Sequence, residues 1–245
     1  MHKYKNVALI DFDGVILKNA YAKKYIDRRI KQFVKRKLDT NNKTVVEQFA
    51  KHIYCSHGHT QYGLSKHGFA TTLPEFNYYI YESYDAKQEY KNISLSKHEK
   101  AEWESFQKVC KQNNIDVKLF SNAPVSWLEN FINYDESIFD LSEYLERYRH
   151  TDAISKHMLK PTKKIAQITS MFLSNNYDHY YFIDDSLRNL SMVANNRRYT
   201  GIWYNSDIGD TKEVTDNFFI LDNLNNFDTI ITNNIAKDTQ KTYFN

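Results

Sequence analysis

Asp11 and Asp13 stand two positions apart at the end of the apolar run "VALIDFDGVIL", residues 7 to 17. Burying two carboxylates in a strand costs free energy, so their presence asks for a chemical use. Three other fragments carry groups that would complement them: Ser121 and Asn122 in "FSNA", Lys160 in "LKP", and Asp184 and Asp185 in "FIDDS". Neighbouring carboxylates in different environments can divide acid and base roles, because repulsion raises one pKa while a metal and hydrogen bonds lower the other. Hard carboxylate oxygens with no His or Cys cluster beside them suit Mg2+.

The elements that must position these groups are legible as alternating runs. Residues 5–11, "IDVKLF" (115–120) and "HYYFI" (179–183) each form an apolar run followed by small or acidic residues, and "YTGIWY" (199–204) and "NFFIL" (217–221) are further strand candidates. Helical periodicity occupies 95–113, 124–132, 161–173 and 186–195. Strands alternating with helices imply a parallel sheet covered on both faces, which binds ligands beyond the carboxyl ends of its strands. Every fragment except Lys160, which opens "KPTKKIAQ", then falls at such an end. Strand alternation turns Phe12 to the opposite side from its acidic neighbours.

From about residue 19 to 94 no strand is evident, only helix-like "YAKKYIDRRIKQFVKRKL" and "NKTVVEQFAKHIY" and a polar loop, "CSHGHTQYGLSKHGF". The expected architecture is α/β: a Rossmann-like parallel sheet core over residues 1–18 and 95–245, with an inserted α-helical cap domain over 19–94. A chain of 245 residues can hold both units. With 19 Tyr and 15 Phe against 6 Gly and 3 Pro, it should be packed and rich in helix.

The net charge of +3 is too small to indicate a polyanionic partner by itself. Cys55 and Cys110 match no metal-ligand spacing and read as free thiols of a reducing compartment, although a disulfide stays open. No apolar stretch approaches the roughly 18 residues needed to cross a bilayer, so no membrane partner and a cytoplasmic location are expected.

Taken singly, each fragment has a plainer role: "DFDG" as a strand-ending turn, Ser121–Asn122 as a helix N-cap, Lys160 as a solvated lysine, "DDS" as a cap before "LRNL". Jointly and in this order, "DFDGV", "FSNA", the Lys of "LKP" and "FIDDS" resemble the four motifs of the haloacid dehalogenase-like (HAD) hydrolase superfamily. The resemblance implies that Asp11 is a nucleophile forming an aspartyl-phosphate, with Asp13 as general acid and then general base. It implies a metal held by Asp11, the Asp13 carbonyl and Asp184, with Asp185 beside them. Ser121 and the Asn122 amide would bind phosphoryl oxygens, and Lys160 would neutralise phosphate and nucleophile.

The insertion falls between the first two motifs, which resembles the helical-cap subclass and points to a small phosphorylated substrate. "TQYGLSKHGF" resembles the cap segment of pyrimidine 5′-nucleotidases, and "LKPTKKIAQ" and "YYFIDDSLRNL" are similar to that family too. The implied substrate is a nucleoside 5′-monophosphate, with Tyr62, Lys66 and His67 as candidate contacts to base or ribose. Tyr62 as core and Lys66 as a solvated lysine stay open. The chain departs from that family in "GVI" after Asp13, where Asn-Thr-Leu is usual, and in His67, where Arg is usual. His57 and His59, with no acidic or Cys partner nearby, read as part of a polar cap loop rather than a metal site.

Two other functions compete. A sugar-phosphate phosphatase or mutase would use the same core motifs. A nucleic-acid end-processing or binding protein is suggested by "KKYIDRRIKQFVKRK", although a charged helix face is more commonly just solvated. Dehalogenases lack an acid two residues after the nucleophile, so Asp13 argues against that branch.

Overall fold

The computed structural model describes residues 5–91, 93–133, 160, 177–194 and 196–234. Five apolar runs become strands: β1 (Asn6–Ile10), β2 (Ile115–Leu119), β3 (His179–Asp184), β4 (Tyr199–Tyr204) and β6 (Phe218–Leu221). With β5 (Lys212–Thr215) they form one sheet in the order β2-β1-β3-β4-β6-β5. All pairings are parallel except β5 with β6. Interior β1, flanked by β2 and β3, is buried on both faces, as a parallel strand requires. This is an α/β, Rossmann-like core.

Register decides what the sheet can do. Ile10 lies level with Leu119 on one side and Ile183 on the other. The next residues, Asp11, Phe120 and Asp184, therefore leave the sheet at one height. The main chain keeps them paired, since the Asp11 N–H donates to the Ile183 carbonyl at 2.9 Å and the Phe120 N–H to that of Ile10 at 2.7 Å.

Between β1 and β2, the chain forms helices α1 (Ala20–Leu38), α2 (Lys43–His57), α3 (Thr60–Lys66), α4 (Leu73–Asn77), a π-helical turn (Tyr78–Glu82), α5 (Tyr84–Tyr90) and α6 (Lys97–Gln112). The Asn19 side chain caps α1, accepting from the Tyr21 N–H at 2.8 Å and the Ala22 N–H at 3.3 Å. Its buried residues Ala22, Tyr25, Arg29 and Phe33 recur every three or four positions, the period of one helix face. Ser96 and Glu99 form a capping box that starts α6, which buries Trp103, Phe106 and Cys110. One hydrophobic cluster runs from Ile10 and Phe12 through Trp127 to Tyr25 and Ile80, joining a sheet face to the inserted helices. Phe12 is fully buried against Phe131, ring centroids 5.2 Å apart. A second cluster, including Val7, Leu9 and Phe182, lies on the opposite sheet face.

The chain enters the insertion through an anchored residue. Lys18 donates its N–H to Glu99 Oε1 at 2.5 Å, and its ammonium pairs with Glu102. Buried Glu102 also accepts from the Leu224 N–H at 2.7 Å, so core helix α6 grips both the insertion's entry and the chain beyond β6.

The structure departs from the sequence reading in several places. The polar loop is largely helix: α2 runs on to His57, Gly58 ends it in the left-handed region (φ 76°), and α3 follows. Gly63 lets α3 approach α2 closely, because a Cβ there would lie 2.8 Å from that of Ile53. Strand β5 was not expected, and its four residues are all exposed, without the apolar alternation that marks a strand. Only Leu187–Leu190, α8, is helical within 186–194, followed by turns. Helix α7 (Val125–Asn133) matches its expected span, whereas 161–173 lies outside the described residues.

Several charges of α1 are engaged within the insertion. Lys31 pairs with Asp27 at 2.7 Å, Lys37 with Glu75 at 2.8 Å, and Arg28 with Glu89. Cys55 and Cys110 are free, and no described helix is long and apolar enough to cross a membrane.

Candidate active site

The common height of β1, β2 and β3 brings the predicted core residues together. Asp11, Asp13, Ser121, Asn122, Lys160 and Asp185 line one cavity of about 1040 Å³ between the carboxyl edge of the sheet and the inserted helices. Asp184 lies just beneath them, fully buried. Asp11, Asp184 and Asp185 each bring one carboxylate oxygen within 4.8 Å of the other two, a grouping that could hold a metal ion.

Lys160 is the cationic centre. Its Nζ lies 2.6 Å from Asp184 Oδ2 and 3.0 Å from Asp11 Oδ2, almost wholly buried. Burial alone would lower its pKa, but the two carboxylates overcome that effect and hold it above the ordinary lysine value. Asn122 fixes the backbone that carries it: Oδ1 accepts from the Lys160 N–H at 2.8 Å, and Nδ2 donates to the Lys160 carbonyl at 2.9 Å. The Asn122 side chain thus has a positioning task that its sequence context did not suggest.

The carboxylates are held just as firmly. Asp11 Oδ1 accepts from the Phe12 N–H at 2.8 Å. Asp184 Oδ1 accepts from the Ser186 N–H at 2.9 Å, and Asn189 Nδ2 reaches both Asp184 oxygens, at 3.0 and 3.1 Å. Asp13 Oδ1 accepts from the indole Nε1–H of Trp127 at 3.0 Å. Asn189 and Trp127 are site residues that sequence reasoning missed.

Burial pushes Asp11 from an ordinary 3.8 to about 8; Lys160 opposes the shift, while Asp184, Asp13 and Asp185 add to it. Burial likewise raises Asp13 to about 6, against the Trp127 hydrogen bond, which favours the ionised form. Asp185 is raised by burial and then by Asp184. Lys160, with a further pull from Lys23 on Asp185, stands against four acidic groups, which leaves the cluster short of positive charge.

Gly14 is required where the chain turns over this cluster. Its φ is 86°, and a Cβ there would lie 2.2 Å from Asp185 Oδ2. The turn closes on itself through the Gly14 N–H, which donates to the Leu17 carbonyl at 2.8 Å. Ser121 Oγ accepts from the Ala123 N–H at 3.1 Å, so its hydroxyl is held at the cavity wall.

The inserted helices form the roof. Tyr54 of α2 lines the cavity, and its phenol is raised by burial and then by Asp185, Asp184 and Asp11. Arg188 of α8 donates to the Tyr54 carbonyl at 3.1 Å and also to that of Cys55, tying the end of α2 to the turn that carries Asp184 and Asp185. The three predicted cap residues lie elsewhere. The Lys66 ammonium sits 5.4 Å from the Tyr62 ring centroid. His67 packs against Phe49 and against His57 and His52, at centroid distances of 5.4, 5.6 and 5.7 Å. None of the three lines the cavity, whereas His59 and Thr60, where α3 begins, do.

No protein-family model matches the sequence, and no curated protein matches it. Among solved structures, a dehalogenase with an intermediate complex aligns over 94% of this chain and 98% of its own, with TM-score 0.51 and 12% identity. A HAD-superfamily hydrolase from Ehrlichia chaffeensis aligns over 96% and 100%, with TM-score 0.44 and 17% identity. At such identities the likeness is one of architecture: the chain has the fold of that dehalogenase, a Rossmann-like sheet with a helical insertion over its carboxyl edge.

Proposed function

We propose that this chain is a Mg2+-dependent phosphomonoesterase of the HAD type, acting on a small phosphate ester, foremost a nucleoside 5′-monophosphate. The observation that carries the reading is the pair Asp11 and Asp13 with Lys160 at one cavity wall. Asp11 lies at the carboxyl end of β1, 3.0 Å from an ammonium, and can attack phosphorus to form an aspartyl-phosphate. Asp13, raised to about 6, keeps a protonated fraction near neutral pH that can protonate the leaving oxygen. Once ionised, it can take a proton from the water that hydrolyses the intermediate.

Three hard carboxylate oxygens gathered around a cluster short of positive charge fit a magnesium ion held by Asp11, Asp184 and Asp185. Such an ion, when bound, supplies positive charge against the phosphoryl oxygens and keeps the carboxylates ionised. Lys160 would add a second positive charge at the same carboxylates, and Ser121 with the Asn122 N–H would supply donors to the phosphoryl group. The acid at position 13 favours this chemistry over dehalogenation. The engagement of several α1 charges within the insertion leaves nucleic acid the less favoured partner.

The test is a phosphate-release screen over nucleotides and sugar phosphates with magnesium. Release that stops on chelation, and in Asp11→Asn at undiminished fold stability, is expected. Undiminished activity in that variant would remove the assigned nucleophile.

A further inference from the structure

The roof of the cavity holds a group that the hydrolytic machinery does not use. One stripe of α1, including Ile26 and Ile30, and one of α2, ending at Tyr54, face the space, which also meets His59, Phe76 and Tyr81. The His59 ring tilts against Phe76, centroids 5.3 Å apart. Although His59 immediately precedes α3, its side chain makes no capping bond, and its Nδ1 is buried without a hydrogen-bond partner. An unpaired buried nitrogen carries a free-energy cost, and this one belongs to a residue that lines a ligand-sized cavity.

We propose that His59, with Phe76, Tyr81 and Tyr54, seats the flat heteroaromatic part of the leaving group and hydrogen-bonds its polar edge. The inference rests on the reading of this cavity as a phosphate-ester site and names the part of the substrate the roof reads. Burial holds His59 down at about 4, so the ring is neutral and offers one donor and one acceptor. A half-turn of the ring about its Cβ–Cγ bond would move the unpaired Nδ1 to the side now held by Cδ2, which is the rearrangement the ligand contact calls for. A neutral imidazole among aromatic rings suits an uncharged heterocycle, whereas a second phosphate would call for a cation.

The experiment compares kcat/KM for a panel of nucleoside 5′-monophosphates with that for ribose 5-phosphate, which has the same phosphate and sugar but no base. The wild type should favour at least one nucleotide. In His59→Phe, which keeps a ring and removes both nitrogens, the ratio of nucleotide to ribose 5-phosphate should fall about tenfold, mainly through KM. His59→Gln, which restores an amide, should recover part of it. Equal loss on both esters in the Phe variant, or an undiminished ratio, overturns the proposal. If the Phe variant does not fold, His59→Gln decides: an altered ranking of bases supports the proposal and an unaltered one overturns it. A wild type that cleaves esters without regard to the base refutes this inference alone. A wild type that releases no phosphate from any ester refutes the phosphatase reading, and this inference with it.

Discussion

Gly14→Ala is a perturbation whose effect can be worked from the coordinates. The added methyl would lie 2.2 Å from Asp185 Oδ2 and 2.5 Å from its carboxyl carbon. Ordinary C···O contact lies at roughly 3.3 Å, so the carboxylate must retreat by about 1 Å. The backbone at φ 86° adds strain of about 1–2 kcal/mol for a residue with a Cβ. Metal–ligand distances tolerate only about 0.2 Å, and disturbing groups that orient a ligand typically costs about 10- to 100-fold in affinity. The variant should therefore fold with slightly lower stability and bind magnesium at least about tenfold more weakly. Calorimetric titration gives the affinity, and thermal melting separates it from stability. A double-mutant cycle isolates the cause: in the Asp185→Ala background the same substitution should cost little further affinity. Unaltered magnesium affinity in Gly14→Ala, or an equal loss with Asp185 already removed, would refute the reasoning.

Trp127→Phe removes the 3.0 Å indole bond to Asp13 while keeping a ring in the aromatic cluster. Losing a hydrogen bond to a carboxylate should raise Asp13 by about one unit, so whichever limb of the kcat–pH profile its titration sets moves alkaline by that amount; an unmoved profile contradicts the role. Asn122→Ala deletes both side-chain bonds to the Lys160 main chain and should lower kcat by about 10- to 100-fold through misplacement of the ammonium. Wild-type kcat in that variant would show that Lys160 is held by other means. In the metal-free protein Asp11 and Asp13 are raised to about 8 and about 6. Groups raised in the folded state stabilise it fully below about pH 4 and lose that contribution as pH climbs toward 8, because the unfolded chain releases the protons first. Chelated protein should thus melt at lower temperature as pH rises through this window, and magnesium should offset the fall; a chelated melting point that rises instead would contradict the assigned shifts.

The core of the site was legible because its signals are local. "NVALI", "IDVKL" and "HYYFID" are continuous enough to read as buried strands, and parallel pairing in phase does the rest, setting Asp11 beside Asp184. Contacts between distant positions carry no local signal. Trp127 and Asp13 are 114 residues apart and Asn122 and Lys160 are 38 apart, so neither bond could be read from spacing. The insertion was legible as helix but not in its facing: packing decides that His59 lines the cavity while His67 packs edge-on against Phe49. Gly63 and Gly58 looked like loop residues, yet one permits close helix packing and the other merely ends a helix.

Asn122 grips Lys160 through its side-chain amide, which meets both the N–H and the carbonyl of the Lys160 main chain. A shift of the turn beyond β2 is therefore relayed directly to the ammonium that faces the nucleophile.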